Sequence, residues 1–283
     1  MSDRGSDRGS ERGRVSKAKI QRWQDGESVR AWDRLVVEEP MEIRVGGEAF
    51  AVTMRTPGHD FELALGFALS EGLVDDPKSV ETIRYCAGED PETGLNTYNV
   101  VDLQLRGPVL VPTDLKRHVS TTSSCGICGT ASLEAVRKQC AGVHDDPLQV
   151  TAAWLATLPT ALRDAQEVFA RTGGLHAAGL FSADGRLQCL REDVGRHNAV
   201  DKVVGWAATQ GLLPLREHVL MVSGRVAFEI AQKALIAGIP LVAAVSAPSS
   251  LAVDLARESG MTLIGFLREG RMNVYSGEHR ITA

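Results

Sequence analysis

The chain has 283 residues, 43% of them hydrophobic and 24% charged, which allows a substantial core and excludes collagen, a disordered polymer and a simple coiled coil. No apolar run approaches the ~20 residues of a membrane-spanning helix, and the hydrophilic start fits neither a signal nor a transit peptide, so a soluble, cytoplasmic protein is expected. The net charge is −5, and residues 1–19 hold six bases against three acids, which leaves −8 on the rest and argues against a general nucleic-acid binder.

In chain order, Ser2-Asp3-Arg4-Gly5, Ser6-Asp7-Arg8-Gly9 and Ser10-Glu11-Arg12-Gly13 repeat a four-residue unit with no apolar face. Ordering it would cost entropy with nothing buried in return, so residues 1–28 are expected to be a disordered basic tail. Residues 29–112 read as a small α+β domain. Within it, residues 41–45 and 48–54 flank Gly46-Gly47 as a hairpin, and residues 82–87 and 97–105 alternate as strands. Thr56-Pro57-Gly58-His59-Asp60 has the form of a helix start capped by a hydroxyl, and Gly72 ends that helix. His59, alone at a helix start, reads as structural. Residues 113–148 hold a Cys-x-x-Cys loop and a helix over about 130–140.

Residues 149–283 read as an α/β domain. Residues 150–172 are helical in pattern with an interruption at Pro159, and residues 176–191 form a hairpin around Ala183-Asp184-Gly185. A helix follows over 196–210. Strands over 218–222, 241–245 and 261–267 then alternate with helices over 226–237 and 249–259. That alternation predicts a parallel sheet with helices packed on it, joined by right-handed crossovers. With the hairpin upstream, the fold class is α/β with a mixed sheet.

Five cysteines, at 86, 125, 128, 140 and 189, are an odd number and make no secreted disulfide framework. Ser124-Cys125-Gly126-Ile127-Cys128-Gly129 sets two thiols where both can face one site, and a helix starting just after it would favour thiolate. Such a pair suits a disulfide switch, half a zinc site, or a carrier of sulfane sulfur. A structural zinc site needs about four ligands, yet Cys86, Cys140 and Cys189 are scattered singly and read as small apolar residues. A deaminase-type zinc site needs His-x-Glu and a proline before the first cysteine; His176-Ala177-Ala178 lacks the Glu, and Ser124 precedes Cys125. A nucleophile or sulfur carrier therefore leads, against a buried, inert pair as the competing reading.

Ligands in open α/β sheets gather beyond the carboxyl ends of strands. Ser223-Gly224-Arg225, Ser246-Ala247-Pro248-Ser249 and the stretch from Phe266 to Arg271 all fall there. Glycines, arginines and helix starts in those loops suggest a phosphate-bearing ligand, although none is a Walker loop or a Rossmann fingerprint. The competing reading pairs the arginines with nearby acids. A polar cluster over residues 191–202 places His197 and Asp201 four apart, beside Arg196 and Lys202; proton transfer and simple ion pairing both fit it.

Six motifs in fixed order then carry a resemblance: residues 123–129, 172–178, 192–202, 223–225, 245–248 and 265–275. Together they closely resemble the FdhD family of sulfur carriers needed for formate dehydrogenase activity, over about residues 30–280. The resemblance implies a sulfurtransferase that takes persulfide sulfur from a cysteine desulfurase and passes it to the Mo-bis(molybdopterin guanine dinucleotide) cofactor of formate dehydrogenase. By motif position Cys125 bears the persulfide and Cys128 assists it. Phe266, Leu267, Arg268, Glu269, Gly270 and Arg271 match the stretch that contacts the cofactor. It further implies a C-terminal fold similar to cytidine deaminases and a homodimer, while the charge balance and the lack of a long apolar run lead to no nucleic-acid or membrane partner being expected. The alternatives are a non-catalytic chaperone for the molybdenum cofactor and a zinc or redox protein.

Overall fold

In the computed structural model, which describes residues 13–86, 98–107 and 142–283, Val15–Gln24 (β1) and Glu27–Val36 (β2) form an antiparallel two-stranded arm. Its turn residues Asp25 and Gly26 have φ of 53° and 85°, the positive values that match the twist of a two-residue hairpin. The tail expected over residues 1–28 is thus corrected from residue 15 onward. Val15, Ile20, Trp23, Val29 and Trp32 favour extended backbone, and a composition argument drawn from the Ser-Asp-Arg-Gly repeats does not extend to them. Residues 1–12 and the helix expected over 130–140 lie outside the described residues.

Glu39–Val45 (β3), Glu48–Arg55 (β4), Val80–Tyr85 (β5) and Val100–Leu105 (β6) make a mixed sheet in the order β4-β3-β6-β5. Met41, Ile43 and Val45 alternate into the core beneath a helix, Asp60–Ser70 (α1). The start of α1 departs from the expected hydroxyl cap. His59, at φ 58°, is its N-cap. Thr56 is engaged elsewhere: its N–H donates to Asp193 Oδ2 at 3.2 Å, and its Oγ1 accepts from the Val194 N–H at 3.3 Å.

Val150–Thr151 (β7) pairs with Ile281–Thr282 (β14), and three short helices follow β7: Ala152–Leu155 (α2), Leu158–Asp164 (α3) and Glu167–Thr172 (α4). Pro159 lies in the first turn of α3, where its missing N–H has no partner to lose, so it opens a helix instead of interrupting one. Next come His176–Ser182 (β8), Leu187–Asp193 (β9), Arg196–Thr209 (α5), His218–Val222 (β10), Phe228–Ile236 (α6), Leu241–Ala244 (β11), Ser250–Ser259 (α7), Thr262–Arg268 (β12) and Arg271–Ser276 (β13). The large sheet runs β13-β12-β11-β10-β8-β9, with β10, β11 and β12 parallel and the outer strands antiparallel. The chain is a mixed-sheet α/β protein. Its antiparallel members are β8, β9 and β13, while the hairpin of β3 and β4 belongs to the smaller sheet. Among the described residues no helix is long and apolar enough to cross a membrane.

One apolar cluster runs from Met41 and Ile43 through Leu63, Val200 and Val204 to Leu220, Val242 and Leu263, so both sheets share it. A second, with Leu155, Leu158, Leu162, Phe181 and Leu267, lies on the other face of the large sheet, under the short helices. Where α1 meets α5, each helix contributes a glycine. A Cβ on Gly66 would stand 1.8 Å from the Asp201 carbonyl oxygen, and one on Gly205 would stand 1.9 Å from that of Glu62. Close backbone approach is possible only without side chains at both points. Gly66→Ala and Gly205→Ala should each destabilise the protein by about 3 kcal/mol, the upper range of overpacking, read as a lower urea midpoint at unchanged slope. An unmoved midpoint in both would mean that the helices do not meet this closely.

Candidate functional site

Because β10, β11 and β12 are parallel, their carboxyl ends share one edge of the sheet, and antiparallel β8 begins there. Val222 pairs with Ala178, and His176 at the start of β8 pairs with Asp193 at the end of β9. Backbone groups knit the segments that leave this edge. The Ser223 N–H donates to the Ala177 carbonyl at 3.0 Å, and the Ala177 N–H donates back to Ser223 Oγ at 2.9 Å. Val226 N–H donates to the Ala247 carbonyl (3.2 Å), Ser249 N–H to that of Val226 (2.9 Å), and Phe266 N–H to that of Ser246 (3.1 Å). The three loops singled out in the sequence are therefore one continuous surface.

Gly224 lies among these segments and is buried. A Cβ there would lie 3.4 Å from His176 Nδ1 and 3.7 Å from Arg196 Cβ, so this glycine leaves space between an imidazole and an arginine stem. Burial and then the positive charge of Arg196 push His176 below its ordinary pKa, which keeps the ring neutral at pH 7. His197 Nε2, on the first turn of α5, is 3.9 Å from Glu229 Oε2 on α6. Arg225, Arg268 and Arg271 are exposed, and none has a carboxylate at ion-pair distance among the described residues.

The stretch matched to a cofactor contact is a hairpin at the sheet's edge, not a free loop. Phe266 lies within an irregularity of the β12–β13 register between Gly265 and Arg268; its φ is 52°, and 39% of it is exposed. Arg268 pairs with Arg271 across the turn made by Glu269 and Gly270, the latter at φ 75°. Leu267 points the other way: it is fully buried in the second apolar cluster and anchors the hairpin. Phe266, Arg268, Glu269 and Arg271 thus share the exposed side, and Leu267 does not join them.

Cys125, Cys128 and Cys140 lie outside the described residues. Cys86 is half-buried, and Cys189 is buried, its thiol pushed up to about 12 by desolvation. Among the described residues no group of three or more His, Cys, Asp or Glu is placed to hold a metal ion.

The polar cluster over residues 191–202 divides. Arg191 makes a two-pronged pair with Glu62 (2.5 and 2.7 Å); burial pushes Glu62 up, and Arg191 with His59 more than reverses it. Glu192 accepts from the Val168 and Phe169 N–H groups that open α4 (3.0 and 2.8 Å). Lys202 pairs with Asp193 at 2.7 Å, and Asp201 with Lys233 at 2.9 Å, all four side chains buried. These are ion pairs and caps. Arg196 stands at the strand-end edge beside His176, a juxtaposition with no local signature in the chain, because it depends on the β8–β9 register that sets His176 against Asp193.

The FdhD/NarQ family model matches residues 36–282. The chain is 58% identical over 273 residues to the sulfur carrier protein FdhD of Streptomyces avermitilis, covering 95% of this chain and 96% of that one. It is 57% identical over 269 residues to the sulfur carrier protein FdhD of Mycolicibacterium paratuberculosis, covering 94% and 98%. A crystal structure from Desulfotalea psychrophila, of a protein described as a candidate formate dehydrogenase accessory protein, superposes with a TM-score of 0.73 at 22% identity. It covers 95% of this chain and 100% of that one, and shows a shared fold.

Two measurements check the electrostatics. Cys189 should resist iodoacetamide at pH 8 in the folded protein and label on unfolding; labelling before unfolding would contradict its burial. His176 should titrate by NMR below the ordinary histidine range. A depressed folded pKa means its contribution to stability is present above the unfolded value near 6.5 and falls away as the pH drops through the folded one. A midpoint at or above 6.5 would contradict its placement beside Arg196.

Proposed function

The chain belongs to the FdhD/NarQ family, and from that premise we propose that it is a sulfur carrier in formate dehydrogenase maturation, a sulfurtransferase acting through a cysteine persulfide. The observation that carries the reading is the strand-end edge: the segments that leave it carry the exposed Arg225, Arg268 and Arg271, with no carboxylate at ion-pair distance among the described residues, together with Gly224 and the exposed Phe266 ring. The cargo, Mo-bis(molybdopterin guanine dinucleotide), presents pyrophosphates and flat guanine rings. Arg225, Arg268 and Arg271 suit the anions, Phe266 offers a face for stacking, and Gly224 allows close approach. The six-stranded mixed sheet with α5, α6 and α7 supports a deaminase-like scaffold for this edge.

The donor is a cysteine desulfurase carrying a persulfide. The Cys125 thiolate attacks its outer sulfur, the donor's S–S bond breaks, and the donor leaves as thiolate while Cys125 becomes the persulfide. Release of that sulfur as hydrosulfide needs two electrons, and the Cys128 thiolate supplies them by forming a Cys125–Cys128 disulfide. The support for these two residues is their motif, residues 123–129, within the matched family region. By the same family likeness the carrier is a cytoplasmic homodimer with the desulfurase and formate dehydrogenase as partners.

Full-length protein incubated with a cysteine desulfurase and cysteine should gain about 32 Da on the Cys125 peptide, one sulfur atom removable by thiol. Cys125→Ala should lose the adduct and reduce formate dehydrogenase activation at least about 100-fold, as loss of a nucleophile does. Wild-type activation by that variant would overturn the carrier role. Full function in a Cys125→Ala/Cys128→Ala double variant would assign a non-catalytic chaperone instead.

A further inference from the structure

The β1–β2 arm stands outside both apolar clusters. It is rooted where the Val37 N–H donates to the Arg14 carbonyl (2.8 Å) and where Val36 lies against Gly174, its Cγ1 3.1 Å from the place of a Cβ. Beyond that root every residue from 21 to 30 is exposed. Strand alternation sorts the side chains by face. With the β1–β2 register, one face carries Lys17, Lys19, Arg30 and Arg34 together with Trp23 and Trp32, and no acid. The opposite face is mixed in sign, with Arg22 against Glu27 and Asp33. Trp23 is 70% exposed and Trp32 62%, with Lys19 Nζ 5.4 Å from the Trp32 ring.

A two-stranded ribbon is marginal by itself in water, and two indoles this open mark a surface that expects cover. Residues 13–36 hold six bases against three acids, a charge of +3; residues 1–12 balance, so the chain's −5 leaves −8 on residues 37–283. We propose that the arm is a self-association element, its cationic, tryptophan-bearing face docking on the acidic body of a second copy of this chain. Each copy offers both halves of the contact, so the pairing closes about a two-fold axis. A long polyanion on the arm would also meet the acidic body, which opposes it. Ten-residue strands span about 33 Å and a two-stranded face about 10 Å, so two docked arms bury roughly 1,300 Å² in all, within the range of specific interfaces. The proposal rests on the homodimer in the reading above and supplies its surface. The arm ends at Val36, where the family match begins.

Sedimentation equilibrium of the full-length protein tests it. The wild type should run at twice the chain mass at low salt and dissociate as ionic strength rises. Reversing the face (Lys17→Glu, Lys19→Glu, Arg30→Glu, Arg34→Glu) should raise the dimer Kd at least about tenfold, as should Trp23→Ala with Trp32→Ala. Lys17→Arg with Lys19→Arg should keep the dimer. An unchanged urea midpoint would show that the body still folds, and the Cys125 adduct, read on the same variants, separates loss of pairing from loss of sulfur transfer. A wild type still monomeric at about 0.1 mM overturns both the homodimer and the arm's role. A dimer indifferent to charge reversal overturns the arm alone, and a monomer that binds a single-stranded oligonucleotide through these residues assigns the arm to nucleic acid and overturns the proposal.

Discussion

Lys202 Nζ lies 2.7 Å from Asp193 Oδ2, and neither side chain reaches water. Asp193 closes β9 and Lys202 is inside α5, and bonds from this group cross to the end of β4 and the residue after it. Lys202 also donates to the Thr56 carbonyl (2.9 Å), and Asn198 Nδ2 donates both to the Met54 carbonyl (2.8 Å) and to Asp193 Oδ1 (3.0 Å). A buried charge pair is tolerable only when its lone pairs and protons are all engaged. Losing one partner leaves an uncompensated charge at a cost of roughly 3–5 kcal/mol. These directional bonds and the glycine contact of α1 with α5 admit one register between the two sheets.

The strand-end edge inherits that register. Arg196 follows Asp193 by one tight turn, in which the Gly195 N–H donates to Asp193 Oδ1 at 2.8 Å, so fixing the carboxylate fixes where the arginine starts α5. A second buried pair ties α5 to α6. Asp201, its pKa raised to about 6 by burial, sits 2.9 Å from Lys233, which also reaches Glu71 at 3.2 Å. Burial pushes Lys233 down, and the two carboxylates overcome that and hold it above its ordinary value. Since α6 carries Glu229 and follows Arg225, both helices that border Gly224 are set by ionic contacts made deeper in the protein. The polar residues of the 191–202 stretch mostly hold the site in place instead of lining it.

Local signals were legible. The Gly46-Gly47 and Asp184-Gly185 turns, the short apolar strands at 218–222 and 241–244, and the amphipathic helix at 250–259 all follow from periodicity and turn chemistry between near neighbours. Three departures have separate physical causes. Thr56 looked like a cap, but its polar atoms serve Asp193 and Val194, more than 130 positions away. Pro159 looked like a break because its position within a turn depends on where the helix begins. The arm at 15–36 was hidden by the polar repeats before it.

Most strands and helices from residue 39 onward, the mixed α/β class and the motifs that mark the family can be read along the chain, because each depends on residues close together or on a fixed series of them. Packing alone buries Leu267 while leaving Phe266 and Arg268 exposed, turns Asp201 and Lys202 inward while setting Arg196 beside His176, and brings four separate segments to one edge. Those outcomes turn on strand register and on which helix packs against which, and both are fixed by buried charge pairs and close backbone contacts between residues far apart in sequence.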